Sequence, residues 1–375
     1  MRVVVAPDKF KGSLTAVEAA EAMAAGVHDV LPDAHVDRCP VADGGEGTLD
    51  VLLSVGGRRV DVRVCGPLSD PVEAYYVVLD DWAYVESARA CGIEHVTPTR
   101  HTALRSHTYG VGELLRHAID NGARGVVLTV GGTASTDGGA GMLQALGATI
   151  LDADGAAVDR GGEALNSVAT VDLTEVRRVL DGVAVRVATD VTNPLLGPHG
   201  AAPVFGPQKG AGPEEIRTLE SGLRTWAQAL IRAGVRDIAP LPGAGAGGGV
   251  AGALAALGAT VESGFDLIAA VTGVDRAIPG ADLALTGEGS FDSQSLAGKA
   301  PAGVADRARR SGTPVAIVAG RIALSAAELS DVGITAWRSL LDRAATPDDA
   351  LHRAAPLLRA ATADVVRFLT DGDQG

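Results

Sequence analysis

The feature that most constrains this chain is a unit that recurs along it. A short Val-rich run ends in a loop holding glycine and a carboxylate, and a helical pattern follows. "RVVVA" (Arg2 to Ala6) stops at Pro7-Asp8. The helix after it opens with a capping box, Thr15 and Glu18, and gathers Val17, Ala20, Met23, Ala24 and Val27 on one face. "HVDRCPV" runs into "ADGGEG", with Asp43 and Glu46, and a helix from about Thr48. "GVVLTV" (Gly125 to Val130) meets "GGTASTDGGAG", which holds Asp137. "VAVRVAT" (Val183 to Thr189) ends in Asp190, and "LALTG" leads to Glu288 and Asp292. Runs that are apolar throughout suit strands buried on both faces, and their alternation with helices predicts parallel α/β architecture.

Between Gly57 and Val85 the pattern changes. "RRVDVRV", "EAYYVVL" and "AYVES" succeed one another with short connections, which predicts antiparallel pairing. The chain's two ends share one style and its middle another. We therefore expect residues 1–75 and 282–375 to form one discontinuous α/β domain, and 76–281 an inserted α/β domain with Gly-rich loops.

Charge and composition exclude several classes. A net charge of −14 without a basic stripe argues against nucleic acid as a partner. No apolar run approaches the ~20 residues of a membrane span. The N-terminus lacks a signal-peptide core, so the expected location is the cytoplasm. The three cysteines, Cys39, Cys65 and Cys91, are odd in number and far apart, which fits neither a disulfide framework nor a zinc site.

In open parallel sheets, ligands bind beyond the carboxyl ends of the strands. A carboxylate there can hold Mg²⁺ or take a proton, although each alone also fits a helix cap. Five such strand ends in one chain point to a site. Lysine gives a second signal: against 28 arginines there are four lysines, Lys9, Lys11, Lys209 and Lys299. A compact ammonium differs from a planar guanidinium, so retained lysines mark positions where that difference matters. We single out Lys11, Lys209 and Lys299, each in a Gly-containing loop, and leave Lys9 as a solvated neighbour or a supplementary charge. Gly243, Gly245 and Gly248 match G-x-G-x-x-G but follow "IAPLPG" and not a clear strand, so close packing competes with dinucleotide binding. A Walker A motif is absent, since Ala300 follows Lys299.

Taken together, "VVVAPDKFKGSLTAVEAAEAM", "PVADGGEGT", "GGTASTDGGAGMLQALGA", "DVTNPLLGPHGAAPVFGPQKGA", "PGAGAGGGVAGAL" and "LTGEGSFDSQSLAGKAPAGVA" resemble the bacterial glycerate kinases of the type I family, in order and over nearly the whole chain. The resemblance implies ATP-dependent phosphorylation of D-glycerate, 2-phosphoglycerate favoured, with ATP and Mg²⁺ as cofactors. It implies a Rossmann- or flavodoxin-like parallel-sheet domain built from both chain ends, a second α/β domain inserted in it, and an active site in the cleft. The matching positions suggest Asp190, Lys11, Lys209 and Asp8 as catalytic, with Asp190 first choice for the acceptor hydroxyl. Ser13, Asn193, Asp43 and Glu46 are the expected glycerate contacts. Gly131, Gly132, Thr133, Asp137, Gly138, Glu288 and Lys299 are expected on the nucleotide side, and Asp292 with Asp43 at the metal. Self-association into a homo-oligomer is left open.

The chain also departs from the pattern it resembles. Lys9 stands where Ser is common, Ser290 where Arg is common, and Arg89 and Arg321 are extra cations. A kinase for another small hydroxy acid is one alternative, motivated by Ser290. A nicotinamide-dependent dehydrogenase, resting on Gly243, Gly245 and Gly248, is the other.

Overall fold

A computed structural model describes residues 1–293, 295–297 and 299–371. The chain divides into two compact units, one of residues 1–43, 50–55 and 265–375, the other of 44–49 and 56–264.

The first unit is built on a five-stranded, all-parallel sheet. Its spatial order is Ile334–Ser339, Val315–Ala319, Leu283–Thr286, Arg2–Val5, His35–Arg38. Numbered within the unit, the order is 2-1-3-4-5, the flavodoxin-like doubly wound arrangement. Val3 pairs with Leu283 and Val5 with Leu285, so the chain's start is paired with a segment from its last third. Alternate side chains feed two cores. Val3 and Val5 pack with Met23, Val27, Leu358 and Val365 on one face. Val4 packs with Ile278, Phe291, Val304 and Ile317 on the other. The helix Ala16–His28 begins at Thr15 with both capping-box bonds made, as the sequence pattern predicts.

The second unit carries a six-stranded mixed sheet in the order Thr260–Glu262, Ala184–Ala188, Gly125–Thr129, Trp82–Glu86, Pro71–Leu79, Arg58–Cys65. The first four strands are parallel and the last two antiparallel, as expected for the "RRVDVRV"–"EAYYVVL"–"AYVES" segment. This pairing moves the expected domain boundaries. A cut at residue 75 would fall inside Pro71–Leu79, whose Val77 pairs with Tyr84 on one side and Arg59 on the other. The hairpin therefore stays with the second unit, which begins its main run at Gly56 and ends at Gly264, well before 282. No described helix is long and apolar enough to cross a membrane.

Candidate functional site

Order 2-1-3-4-5 places the topological switch point between Arg2–Val5 and Leu283–Thr286, where connections leave toward opposite faces and a crevice opens. The carboxyl ends of those strands run into Pro7-Asp8 and Gly287-Glu288, held together by the Asp8 N–H donating to the Gly287 carbonyl at 2.8 Å. A cavity of about 570 Å³ lies there. Asp8, Lys9, Lys11 and Ser13 line it from the first strand end, and Asp43 from the second. Glu288, Gly289, Ser290 and Lys299 line it from the third, Gly320 and Arg321 from the fourth, Leu340 and Leu341 from the fifth. Every strand of this sheet thus contributes at its carboxyl end.

Asp8 is 4% exposed. Burial pushes its carboxyl up to about 7, opposed by the Lys9 ammonium and reinforced by Asp43 and Glu288. One Asp8 oxygen accepts the Lys9 backbone N–H at 2.6 Å. Glu288 is also buried and raised by desolvation. The Ser295 hydroxyl and Lys299 oppose that rise, and Asp43 and Asp292 add to it. Glu288 Oε1 has no hydrogen-bond partner among the described residues. A buried carboxylate oxygen left in that condition is costly and suits a ligand donor.

Lys9 was the lysine with the weakest claim in the sequence. Its ammonium lies 3.8 Å from Asp8 and 3.9 Å from Asp43, inside the acidic cluster. Adjacency to Asp8 was visible in the sequence, but the approach to Asp43 depends on the pairing of Arg2–Val5 with His35–Arg38. Ser290 and Arg321 are direct register partners in a small parallel ribbon, Ser290–Phe291 with Arg321–Ile322. Arg321 therefore stands directly opposite Ser290. Sequence reasoning also missed the apolar wall of Leu340, Leu341, Pro347 and Leu351, which carries no polar signature.

The second unit holds the other expected residues. The Gly131–Gly141 loop leaves Gly125–Thr129 with Gly131 and Gly132 exposed, then turns inward. Asp137 is fully buried. Its carboxylate accepts from the Thr108 N–H and hydroxyl, both at 2.8 Å, and from the Gly139 and Gly141 N–H groups. The Gly138 carbonyl accepts the Trp226 indole N–H at 2.9 Å, and its N–H donates to Gly248. Gly248 is at φ +69°, and a Cβ there would stand 2.2 Å from the Ser135 carbonyl oxygen. The two glycine runs are thus packed backbone to backbone, and the stretch before Gly243 is a loop and not a strand. Close packing accounts for the G-x-G-x-x-G match, and the dinucleotide setting is missing.

Lys209 is also buried, and its ammonium donates to the Ser135 carbonyl. Burial lowers it to about 8, while Cys91 and Asp137 act to raise it. Asp190 lies at the end of Ala184–Ala188 and accepts the Gly264 N–H at 3.0 Å, tying its strand end to that of Thr260–Glu262. Asn193 donates to the His199 carbonyl across its own loop, and Glu46 is exposed. Glu86, buried, accepts the Leu49 N–H and pairs with Arg89 at 3.0 Å.

The structure therefore brings Asp8, Lys11, Ser13, Asp43, Glu288 and Lys299 to one cavity. It sets Lys209, Asp137 and Gly138 into the frame of the Gly131–Gly141 loop. Of the expected Mg²⁺ ligands, Asp43 lines the cavity, whereas Asp292 accepts the Ser295 N–H in a local turn. Among the described residues no group of three or more His, Cys, Asp or Glu side chains stands where it could hold a metal ion.

Comparison with known proteins identifies the family. The model of the glycerate kinase family matches residues 3–370. A glycerate kinase of Halalkalibacterium halodurans is 40% identical over 97% of both chains. A glycerate 2-kinase of Escherichia coli strain K12 is 38% identical over 99% of both. A crystal structure from Salmonella typhimurium LT2, provisionally described as glycerate kinase 2, superposes on all of both chains with a TM-score of 0.88 at 40% identity. A switch-point cavity lined by carboxylates and lysines, and matches that run almost from end to end, make this chain a member of the glycerate kinase family.

Proposed function

We propose that the chain transfers the terminal phosphoryl group of ATP to a hydroxyl of D-glycerate, giving 2-phosphoglycerate. The observation that carries this reading is the switch-point cavity, which is lined by a buried carboxylate, Asp8, with its pKa raised to about 7, and by the cationic side chains of Lys9, Lys11, Lys299 and Arg321. Phosphoryl transfer asks the protein mainly to align its reactants and neutralise charge. In a chain of net charge −14, those cations are where an anionic substrate and a triphosphate would be held.

Asp8 is the group we assign to the acceptor hydroxyl. A general base works best with its pKa near the operating pH, and Asp8 meets that condition at a ligand-accessible strand end. Asp190, with one oxygen on the Gly264 N–H, is assigned to holding its strand end in place. Lys11 and Ser13 would meet the glycerate carboxylate or the phosphoryl in transit. Lys299 would meet the phosphates, and the wall of Leu340, Leu341, Pro347 and Leu351 would receive the adenine ring. Gly131, Gly132 and Thr133 are proposed nucleotide contacts of the second unit. Asp137, Gly138 and Lys209 would keep their loop in shape. Magnesium enters as part of the nucleotide substrate. The name of the Escherichia coli relative supports phosphorylation at the 2-position.

Incubation with ATP, Mg²⁺ and D-glycerate, followed by NMR of the product, tests the proposal. A 2-phosphoglycerate signal is expected. The 3-isomer would overturn the regiochemistry, and absence of any phosphoglycerate would overturn the activity. Ser290 on the cavity wall favours one second reading, a different small hydroxy acid as acceptor. Turnover compared across glycerate, tartronate and lactate decides between them.

A further inference from the structure

We propose that Lys9 is a built-in cation. Its ammonium takes the place between Asp8 and Asp43 that a resident divalent ion would otherwise fill, so the nucleotide-free protein holds no such ion there. The inference rests on the kinase reading for its meaning in turnover, but its test does not depend on that reading.

Three carboxylates, Asp8, Asp43 and Glu288, line one wall of the cavity. Like charges so placed demand a counter-charge, and in a phosphoryl-transfer site the usual candidate is a divalent ion. Such an ion needs several oxygens at about 2.0–2.6 Å, converging on one point. The donor set here does not provide this, since no three ligating side chains converge among the described residues. What does converge is the Lys9 side chain, at 3.8 Å from Asp8 and 3.9 Å from Asp43, while its own backbone N–H donates to Asp8. The side chain is 24% exposed, so the charge is partly withdrawn from water and held in the cluster.

Residue type supports the assignment. A lysine ammonium is a compact point charge, close to the role of a small cation, whereas a guanidinium would present a broad planar fork. This chain uses arginine 28 times and lysine four times, yet the cation in the acidic cluster is lysine. A tethered charge is also present at every magnesium concentration. The protein would then need only the magnesium that arrives with the nucleotide.

The test is titration of nucleotide-free protein with Mn²⁺, following the free ion by electron paramagnetic resonance. Wild type, Lys9→Met, Lys9→Gln, Asp43→Asn and Lys9→Met with Asp43→Asn are compared, each checked for folding by circular dichroism. Wild type is expected to show no site tighter than about 1 mM. The two Lys9 variants are expected to bind one ion per chain at least about tenfold more tightly, the scale set by removing one like charge a few Å away. Adding Asp43→Asn should abolish that site. Tight Mn²⁺ binding by wild type that Asp43→Asn removes would overturn the proposal. So would folded Lys9 variants that gain no site. Either single Lys9 variant suffices if the other does not fold. Phosphoglycerate formation is measured separately, so failure of the kinase reading leaves the Mn²⁺ result standing, and the reverse also holds.

Discussion

Asp8 and Asp190 look alike in sequence, each a carboxylate just past a Val-rich strand. What separates them is which atoms stand nearby. Asp8 is almost wholly buried beside a cavity and raised by desolvation to about 7, whereas Asp190 is turned toward a backbone N–H. We expect Asp8→Asn to lower kcat by about 10²–10⁴-fold, the usual worth of a general base. The wild-type rate should climb as pH rises through about 7, because the working form is the carboxylate, and the variant should lose that step. Steady-state kinetics between pH 5.5 and 8.5 would show both. Asp190→Ala should leave turnover within a few fold, and a loss as large as that of Asp8→Asn would reverse the two assignments.

Lys209 allows a different kind of test. Burial lowers its folded pKa to about 8, below the roughly 10.4 of an unfolded lysine. Between those values the unfolded chain keeps a proton that the folded chain releases, so stability gains as pH rises through that window and is lowest below it. Lys209→Met should flatten this dependence. Denaturant unfolding at pH 7.5 and 9.5 should show wild type gaining about 1–2 kcal/mol more than the variant over that interval. Equal gains would mean that the ammonium is not held dry. None of this was readable from the lysine count, which marked Lys209 as special without showing that its charge is spent on a carbonyl.

At the scale of elements, the local patterns were legible because their causes are local. The capping box at Thr15, the helix from Thr48 and the antiparallel run of "RRVDVRV" each rest on neighbours a few residues away. The boundary at 75 was not legible, because the owner of the Arg58–Leu79 hairpin is decided by pairing with Trp82–Glu86. The role of Asp137 was equally hidden, since two of its four donors, the N–H and hydroxyl of Thr108, come from far along the chain. The glycine run at 243–249 is a third case, in which the motif was visible and its purpose was not. Gly248→Ala should cost about 3 kcal/mol or more, since it combines a positive φ with a Cβ driven into the Ser135 carbonyl. A thermal or denaturant melt measures this, and a loss under about 1 kcal/mol would show that the two loops part easily. The Ser290–Arg321 ribbon predicts coupling: Arg321→Ser should raise KM, and adding Ser290→Arg should restore much of it, because the partners share one register position. No rescue in that double variant would argue that the two positions serve different ligand groups.

For the whole molecule, both α/β units were legible in outline from the change of style along the chain, but not their edges or the way the chain passes between them. The main run of the second unit, Gly56–Gly264, carries its own six-stranded sheet and its own core. It should therefore fold when expressed alone, giving a cooperative thermal transition by circular dichroism. A broad, non-cooperative melt would show that the short Gly44–Leu49 segment, through Leu49 and its bond to Glu86, is indispensable.

Pairing Val3 with Leu283 also sets a timetable. During synthesis the first strand can meet His35–Arg38 within moments, but its other neighbour is not made until the whole inserted unit has emerged. At about 5–20 residues per second, that interval lasts roughly ten to fifty seconds. Through it, Asp8 has no Gly287 carbonyl to bind and the crevice has only one side. The nascent chain therefore completes its middle before its beginning. A ribosome that stalls just short of residue 283 leaves a first-unit sheet without its central strand.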